Sequence, residues 1–535
     1  MKPFSSGERT IVHVLKEACR IHPDKTWLRF ETSDASYADM ELLSNRLAHG
    51  LIEIGMQPGD TLLVMLRDSV EQIAIWIACS KAGIVDVPVN TAYRGDILAH
   101  IVNDCGAKNA IIDASFAERF EGLEAPLSRL ERFIIASAEN AAGLQTVAGK
   151  PVTPLSDLLP PDDSPAGLPA ESQMMSIMYT SGTTGGSKGV MTAHAHAFEY
   201  ARGCAGILEL AEDDVYYTAG LPLFHVAGKW GVIFGAAIFG ATAVIPRQFS
   251  VRGFWDDVRR FGVTATYLLG AMANFLQRQP AAQNDADNPL CKVLMCPLLK
   301  DVDEFARRFD LKVASAYGST EVNAPLSMPL TRSIADNQIV GKIRDDRFEV
   351  MIADENDQPV PPHVLGEILV RPKQPWITML GYWNQPEQTA KMWRNLWLHS
   401  GDAGRYDEEG NFYFVDRLRD TIRRRGENIS SMEVEAILSQ HPAVAECAVF
   451  PVMSEDTEQE VMAAIVLKAD HTSTPEDLIR FAANRMPYFM IPRFLDMVAE
   501  LPKTPTGKVR KHILKEIGRT ARTWDREAAG VKLGR

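Results

Sequence analysis

The feature that most constrains the fold is an alternation of short apolar runs with stretches of helical periodicity. Thr61 to Leu66 reads as a buried strand, Ser69 to Ala82 as a helix, and Val85 to Val89 as the next strand. Ile101 to Asp104 closes another helix, and Asn109 to Ile112 is a further short strand. The rhythm returns at Val215 to Ala219, Ala241 to Ile245, Ala265 to Leu269, Lys292 to Met295 and Val313 to Ala316. Apolar strands separated by amphipathic helices predict mainly parallel sheets covered by helices.

The texture changes near Gly341. Phe348 to Ala353, Gly366 to Arg371 and Asn411 to Val415 are short strands split by turns such as Asp354-Glu355-Asn356-Asp357, which predicts a small antiparallel subdomain. A basic segment, Asp416 to Arg425, precedes a second α/β pattern. That pattern comprises helices over Ser431 to Ser439 and Pro475 to Arg485, and strands over Val444 to Val452, Val461 to Leu467 and Arg493 to Val498. A chain of 535 residues exceeds one ordinary core. The expected division is a large α/β domain over residues 1–418, a small mobile α+β domain over 419–518, and a tail over 519–535 that lacks apolar periodicity.

Composition narrows the function. With 46% hydrophobic and 23% charged residues, the chain reads as soluble and globular. A net charge of −13 argues against general binding to nucleic acid or to an anionic membrane. The N-terminal residues lack an apolar signal core, and the uncharged stretch from Trp230 to Pro246 is interrupted by Gly231, Gly235 and Gly240. It is shorter than the ~20 residues a membrane span needs and reads as a buried helix running into a strand. Seven scattered cysteines without a zinc-type pair fit reduced thiols and a cytoplasmic protein.

The chemistry is concentrated in a few segments. Tyr179-Thr180-Ser181-Gly182-Thr183-Thr184-Gly185-Gly186-Ser187-Lys188-Gly189 is a Gly, Ser and Thr-rich loop with one lysine. Such a loop offers backbone N–H groups and hydroxyls to an anion, usually polyphosphate. It is not a Walker loop, because Gly189 stands where a Ser or Thr should follow the lysine. Tyr317-Gly318-Ser319-Thr320-Glu321 ends a strand with a carboxylate, as a magnesium ligand would. His399-Ser400-Gly401-Asp402 offers a turn aspartate, which more often satisfies its own backbone. Asp416 to Asn428 is a charge run ending in Gly-Glu-Asn, and charge runs are usually solvated faces. Pro502-Lys503-Thr504-Pro505-Thr506-Gly507-Lys508 puts a lysine on a constrained loop, where the ordinary reading is an exposed charge.

Five motifs in this order resemble the AMP-forming adenylating enzymes, which include acyl-CoA synthetases, carrier-loading adenylation domains and luciferases. The resemblance spans residues 30–515. Pro88 to Asp96 and the Arg-rich Gly-Glu-Asn segment are closest in character to the crotonobetaine/carnitine–CoA ligase branch, which hints at a short or polar acid.

The resemblance implies that a carboxylic acid and ATP form an acyl-adenylate, which CoA then converts to a thioester. It assigns Thr180, Ser181, Gly182, Thr183, Thr184, Gly185 and Lys188 to the phosphates, and Tyr317, Gly318 and Thr320 to the adenylate. Glu321 would hold Mg2+, Asp402 and Arg417 the ribose, and Lys508 the carboxylate and α-phosphate. Arg419 would be the hinge, and Gly426 would line the CoA thiol's route. Catalysis would fall to Lys508, Thr180, Glu321 and His225. The acid would meet His225, Val226, Lys229 and Asn323; Lys229, in apolar company, would meet a polar group of the substrate or snorkel to solvent. Departures occur at Ser187, where many relatives have Pro, and at Met295-Cys296-Pro297-Leu298, where they have Gly-Gly-Ala beside the adenine. The expected partners are the acid, ATP and CoA, with no nucleic acid and no membrane span; a homodimer is compatible. Two other readings stay open: an enzyme that loads a carrier protein, and a catalytically silent nucleotide-binding regulator.

Overall fold

The computed structural model describes residues 4–30, 33–136, 144–180, 187–334, 336–417, 421–424, 427–454, 459–502, 509 and 511–533. Two large sheets carry the first four hundred or so residues. In one, Thr61–Met65 lies between Val85–Pro88 and Asn109–Ile112, all parallel, with Arg132–Ile135 beyond. Met174–Thr180 joins it parallel, and Lys188–Ala193 folds back antiparallel.

The helix Val70–Ala82 packs behind this sheet. Ser69 caps it by accepting from the Gln72 N–H, and Gly83, at φ 70°, ends it in the left-handed conformation that glycine adopts without strain. The second sheet runs parallel through Thr26–Phe30, Thr242–Ile245, Val215–Tyr217, Ala265–Leu268, Lys292–Met295 and Lys312–Ser319. It then turns antiparallel through Asn323–Thr331, Ile339–Ile343, Phe412–Arg417, Trp397–Tyr406, Gly366–Pro372 and Phe348–Ala353. The antiparallel part expected from the sequence therefore continues the edge of a parallel sheet.

Between the sheets lies a core with Trp27, Trp76, Trp230 and Phe234 fully buried. The stretch read as a buried helix leading to a strand is a π-helical turn, Ala227–Phe234, then the helix Gly235–Phe239 and the strand Thr242–Ile245.

The C-terminal residues build a separate sheet. Val444–Met453 pairs antiparallel with Gln459–Leu467, which pairs parallel with Phe494–Met497. The helix Pro475–Ala483 starts on a capping box between Thr474 and Asp477, with Pro475 in its first turn. A two-stranded hairpin, Thr421–Arg424 with Glu427–Ser430, connects this smaller domain to the larger one.

The tail expected over 519–535 is corrected by the structure. Trp524–Asp525 adds a strand against Phe494–Met497, Arg493 pairs with Asp525 at 3.1 Å, and Arg526 is buried. One tryptophan and the ion pairs of Arg493 with Asp525 and Glu527 anchor this segment, which is too little signal for any periodicity to show. Among the described residues no helix is long and apolar enough to cross a membrane, and the seven cysteines are free thiols.

Candidate active site

The Gly-rich segment joins two antiparallel strands whose ends meet, with Thr180 opposite Lys188. A Walker loop connects a strand to a helix, so this strand-to-strand setting agrees with the spacing argument. Ser181, Gly182, Thr183, Thr184 and Gly185 lie outside the described residues, as do Arg419, Gly426 and Lys508. Lys188 stands over the ring of Tyr382 at 5.1 Å, and the Tyr382 hydroxyl donates to Glu321 Oε1 at 3.0 Å. Ser319 Oγ donates to the other carboxylate oxygen at 2.9 Å. The lysine beside the loop and the carboxylate of the second motif, 133 positions apart, thus share one tyrosine.

Gly318 shows why this turn needs glycine. A Cβ there would sit 2.0 Å from the Asn323 carbonyl oxygen, so any side chain would force apart the strands that carry Glu321. Tyr317 stacks on Phe414 at 6.1 Å, and its hydroxyl donates to Asp402 Oδ2 at 2.7 Å. Asp402 is 5% exposed and sits opposite Arg417 in strand register. The two residues assigned to ribose are therefore cross-strand neighbours, although 15 positions separate them in the chain.

These groups open on one cleft of about 870 Å³. Thr180, His225, Val226, Gly318, Thr320, Glu321 and Asp402 all line it, as does Cys296-Pro297-Leu298, the stretch that departs from the family pattern. The smaller domain closes it with Arg423, Arg424, Glu427, Tyr488 and Phe489. Arg424 is held in place by Glu460 at 2.6 Å and by the Phe489 carbonyl at 2.8 Å. Glu427 reaches His225 Nε2 at 3.3 Å and accepts from Asn90 at 3.5 Å. Burial pulls the His225 imidazolium toward deprotonation, but Glu427 and then Asp68 outweigh it and leave the pKa raised. Asp68 accepts from the Leu223 N–H at 3.0 Å, and burial pushes its carboxyl up to about 6. A second bridge joins Ser187 Oγ to Glu433 at 3.2 Å, with both residues buried. There burial outweighs the Ser187 hydrogen bond and pushes the Glu433 carboxyl up to about 8.

Two expected substrate residues do not reach the cleft. Lys229 is 1% exposed and forms a 2.7 Å ion pair with Asp86, over the ring of Trp76 at 5.6 Å. It does not snorkel to solvent: the partner it has comes from the parallel strand Val85–Pro88. Asn323 is fully buried. Its amide donates to the carbonyls of His196 at 3.1 Å and Ile377 at 2.9 Å, and its own oxygen accepts from Ala324. At φ 69° it takes the left-handed turn that asparagine tolerates. Sequence reasoning passed over Tyr200, Tyr267, Arg423 and Glu433. The first two read as core aromatics, and the last two fell within a charge run and an ordinary helix.

Residues 15–383 match the model of the AMP-binding enzyme family, and residues 433–508 match that of the AMP-binding enzyme C-terminal domain. The crotonobetaine/carnitine–CoA ligases of Citrobacter koseri and Salmonella typhimurium are 30% and 29% identical, over 95% of this chain and 99% of each relative. An o-succinylbenzoate CoA synthetase double mutant from Bacillus subtilis, bound with its product analogue, superposes with a TM-score of 0.80 at 24% identity, covering 94% of this chain and 98% of that one. The same synthetase in complex with AMP gives 0.65 at 25% identity, over 96% and 99%. With a match across both of its domains, the chain belongs to the AMP-binding enzyme family.

Proposed function

We infer that this protein is an AMP-forming acid–CoA ligase: it activates a carboxylic acid with ATP and transfers the acyl group to CoA. The observation that carries the reading is the convergence of Thr180, Glu321 and Asp402 on one cleft that the hairpin of the smaller domain closes.

The acid is already ionised near neutral pH, so the first step needs no general base. Its difficulty is anion against anion, which positive charge and oriented N–H groups relieve. The Thr180–Lys188 hairpin would hold the phosphates, and Asp402 with Arg417 the ribose. Lys508 would bridge the carboxylate and the α-phosphate.

Mg2+ fits Glu321. Each carboxylate oxygen accepts one hydrogen bond, from Ser319 or Tyr382, and an ionised carboxylate has further lone pairs. Among the described residues no group of three or more His, Cys, Asp or Glu could cage a metal. A single carboxylate plus substrate phosphates is the usual protein share of a magnesium site. When bound, the ion would neutralise phosphate charge.

The second step brings a thiol to the adenylate. The hairpin already stands at the cleft, with Glu427 against His225, and Gly426 would line the thiol's route. A swing about Arg419 would exchange this arrangement for one that presents Lys508. A cytoplasmic location and a homodimer belong to the same reading.

The test is a coupled assay. Pyrophosphate release should require ATP, Mg2+ and an acid, and CoA, but not a carrier protein, should turn the adenylate into thioester and AMP. No pyrophosphate release across a broad acid panel would sink the reading in favour of a silent nucleotide binder.

A further inference from the structure

Three arginines follow the carboxyl ends of neighbouring strands in the first of the two large sheets. The chain leaves Thr61–Met65 to one side for Val85–Pro88, then crosses to the other side for Asn109–Ile112. In an open parallel sheet such a reversal opens a crevice beyond the strand ends, where ligands bind. Arg67 follows the first of these strands, Arg94 the second and Arg119 the third. The Arg67 and Arg119 guanidinium groups both stand over the ring of Phe116, at 5.5 and 4.5 Å. Arg119 donates to the Thr91 carbonyl, and Arg67 to Ser115 Oγ at 3.2 Å.

Among the described residues, neither Arg67 nor Arg119 forms an ion pair. Asp113 accepts from Ser115 at 2.6 Å, and Asp96 from Gln440 at 3.3 Å, rather than from these two arginines. Burial, and then the charges of Arg94 and Arg67, push the Arg119 guanidinium down to about 10. A partly buried cation among like charges is unfavourable until an anion joins it. None of the three arginines lines the cleft, whereas Tyr93, next to Arg94, does. Asn90 of the same loop donates to Glu427 of the closing hairpin. The smaller domain also passes Gly95 closely, so that a Cβ there would stand 3.1 Å from the Arg485 Cα. The cluster therefore borders both the cleft and the seam between the domains.

We propose that Arg67, Arg94 and Arg119 form a phosphate-binding site that takes the phosphorylated end of CoA, with the thiol arm running past Tyr93 into the cleft. This inference rests on the ligase reading above and adds where its co-substrate is gripped. Guanidinium forks match phosphate oxygens in geometry as well as in charge. ATP reacts at a phosphate, which has to enter the cleft. CoA reacts at a thiol remote from its phosphates, so its charged end can stay outside, where these arginines stand.

Thioester formation by the full-length enzyme, with CoA, dephospho-CoA or pantetheine as acceptor, tests this. In Arg119→Met, the ratio of kcat/KM for CoA to that for pantetheine should fall at least ~10-fold, through KM rather than kcat. Arg67 is exposed, so Arg67→Met carries little risk to the fold and should move the ratio the same way by about 3-fold. Added salt should weaken the use of CoA, and weaken it less in Arg119→Met. A penalty that vanishes with dephospho-CoA supports a grip on the 3′-phosphate, and one that persists supports a grip on the diphosphate. An unchanged ratio in both variants would overturn the proposal, as would a loss shared equally by CoA and pantetheine. Lost transfer to a phosphopantetheine-bearing carrier protein, with CoA use unchanged, would overturn it in favour of an acidic protein surface. No thioester from any acid with the unsubstituted enzyme would sink the ligase reading and this proposal with it, an outcome distinct from an unchanged ratio in active variants.

Discussion

The two faces of the cleft are built differently. On the large-domain face, Tyr317 donates to Asp402 at 2.7 Å, and both sit on strands of one sheet. Its shape is held by backbone ladders and by the core beneath, in which Lys229 and Asp86 are sealed. On the smaller-domain face, the bridges to the large domain among the described residues include His225–Glu427 at 3.3 Å, Asn90–Glu427 at 3.5 Å, Ser187–Glu433 at 3.2 Å and Gln440–Asp96 at 3.3 Å. They are longer, and those of His225 and Glu433 depend on protonation. The difference teaches that the nucleotide wall is pre-organised within one sheet, while the closing face meets the large domain through side chains and a shared apolar cluster, contacts that a domain movement would exchange.

The largest expected effect lies beneath the fixed face. Lys229→Met leaves Asp86 buried without its cation, and breaking such a pair costs about 3–5 kcal/mol. Urea unfolding should show that loss while activity per folded molecule persists. Normal stability with lost acid affinity would return Lys229 to the substrate. Next is Asp402→Ala, which removes the proposed ribose acceptor and orphans the Tyr317 hydroxyl. The kcat/KM for ATP should fall by about 100-fold, with unchanged KM for CoA.

Changes on the closing face should be smaller and confined to one half-reaction. Glu427→Gln should slow thioester formation from a supplied adenylate about 10-fold and spare pyrophosphate release. Equal losses in both steps would show that the two faces are not separable in this way.

The smallest effect is a pH dependence. Glu433 in the docked arrangement has its pKa raised to about 8, so docking retains a proton that the separated domains would release. That contribution favours docking at low pH and is lost as pH rises from the ordinary carboxylate range through about 8. The raised His225 acts in the same direction: its pairing with Glu427 is complete below the ordinary histidine pKa and is lost as pH climbs through the raised value. The ratio of thioester rate to adenylation rate should therefore fall with rising pH, and Glu433→Gln should flatten the fall. A ratio that rises with pH would break the link between docking and protonation.

Most of the fold was legible because short apolar strands announce themselves locally. Asn109–Ile112, Lys292–Met295 and Phe348–Ala353 were delimited to the residue, each being an apolar run between turn residues. The segment Trp524–Asp525 was not, because its place on the sheet depends on a partner 31 positions away. The same contrast holds at the site. Glu321 and Asp402 lie in motifs whose spacing is itself the signal, and both line the cleft. Lys229 and Asn323 were expected at the substrate and have protein partners instead, because a buried polar group looks alike in sequence whatever its partner.

The sequence by itself determined the alternating sheets, the smaller C-terminal domain, and the ordered motifs that identify an AMP-binding enzyme. These are properties of local periodicity and of spacing along one chain. Only the tertiary structure decided that Asp86 pairs with Lys229, that Tyr200 and Tyr267 meet across Gly231, and that Glu427 and Glu433 bridge two domains. Each of those outcomes pairs groups far apart in the chain, and their energy depends on what the folded surroundings remove from water.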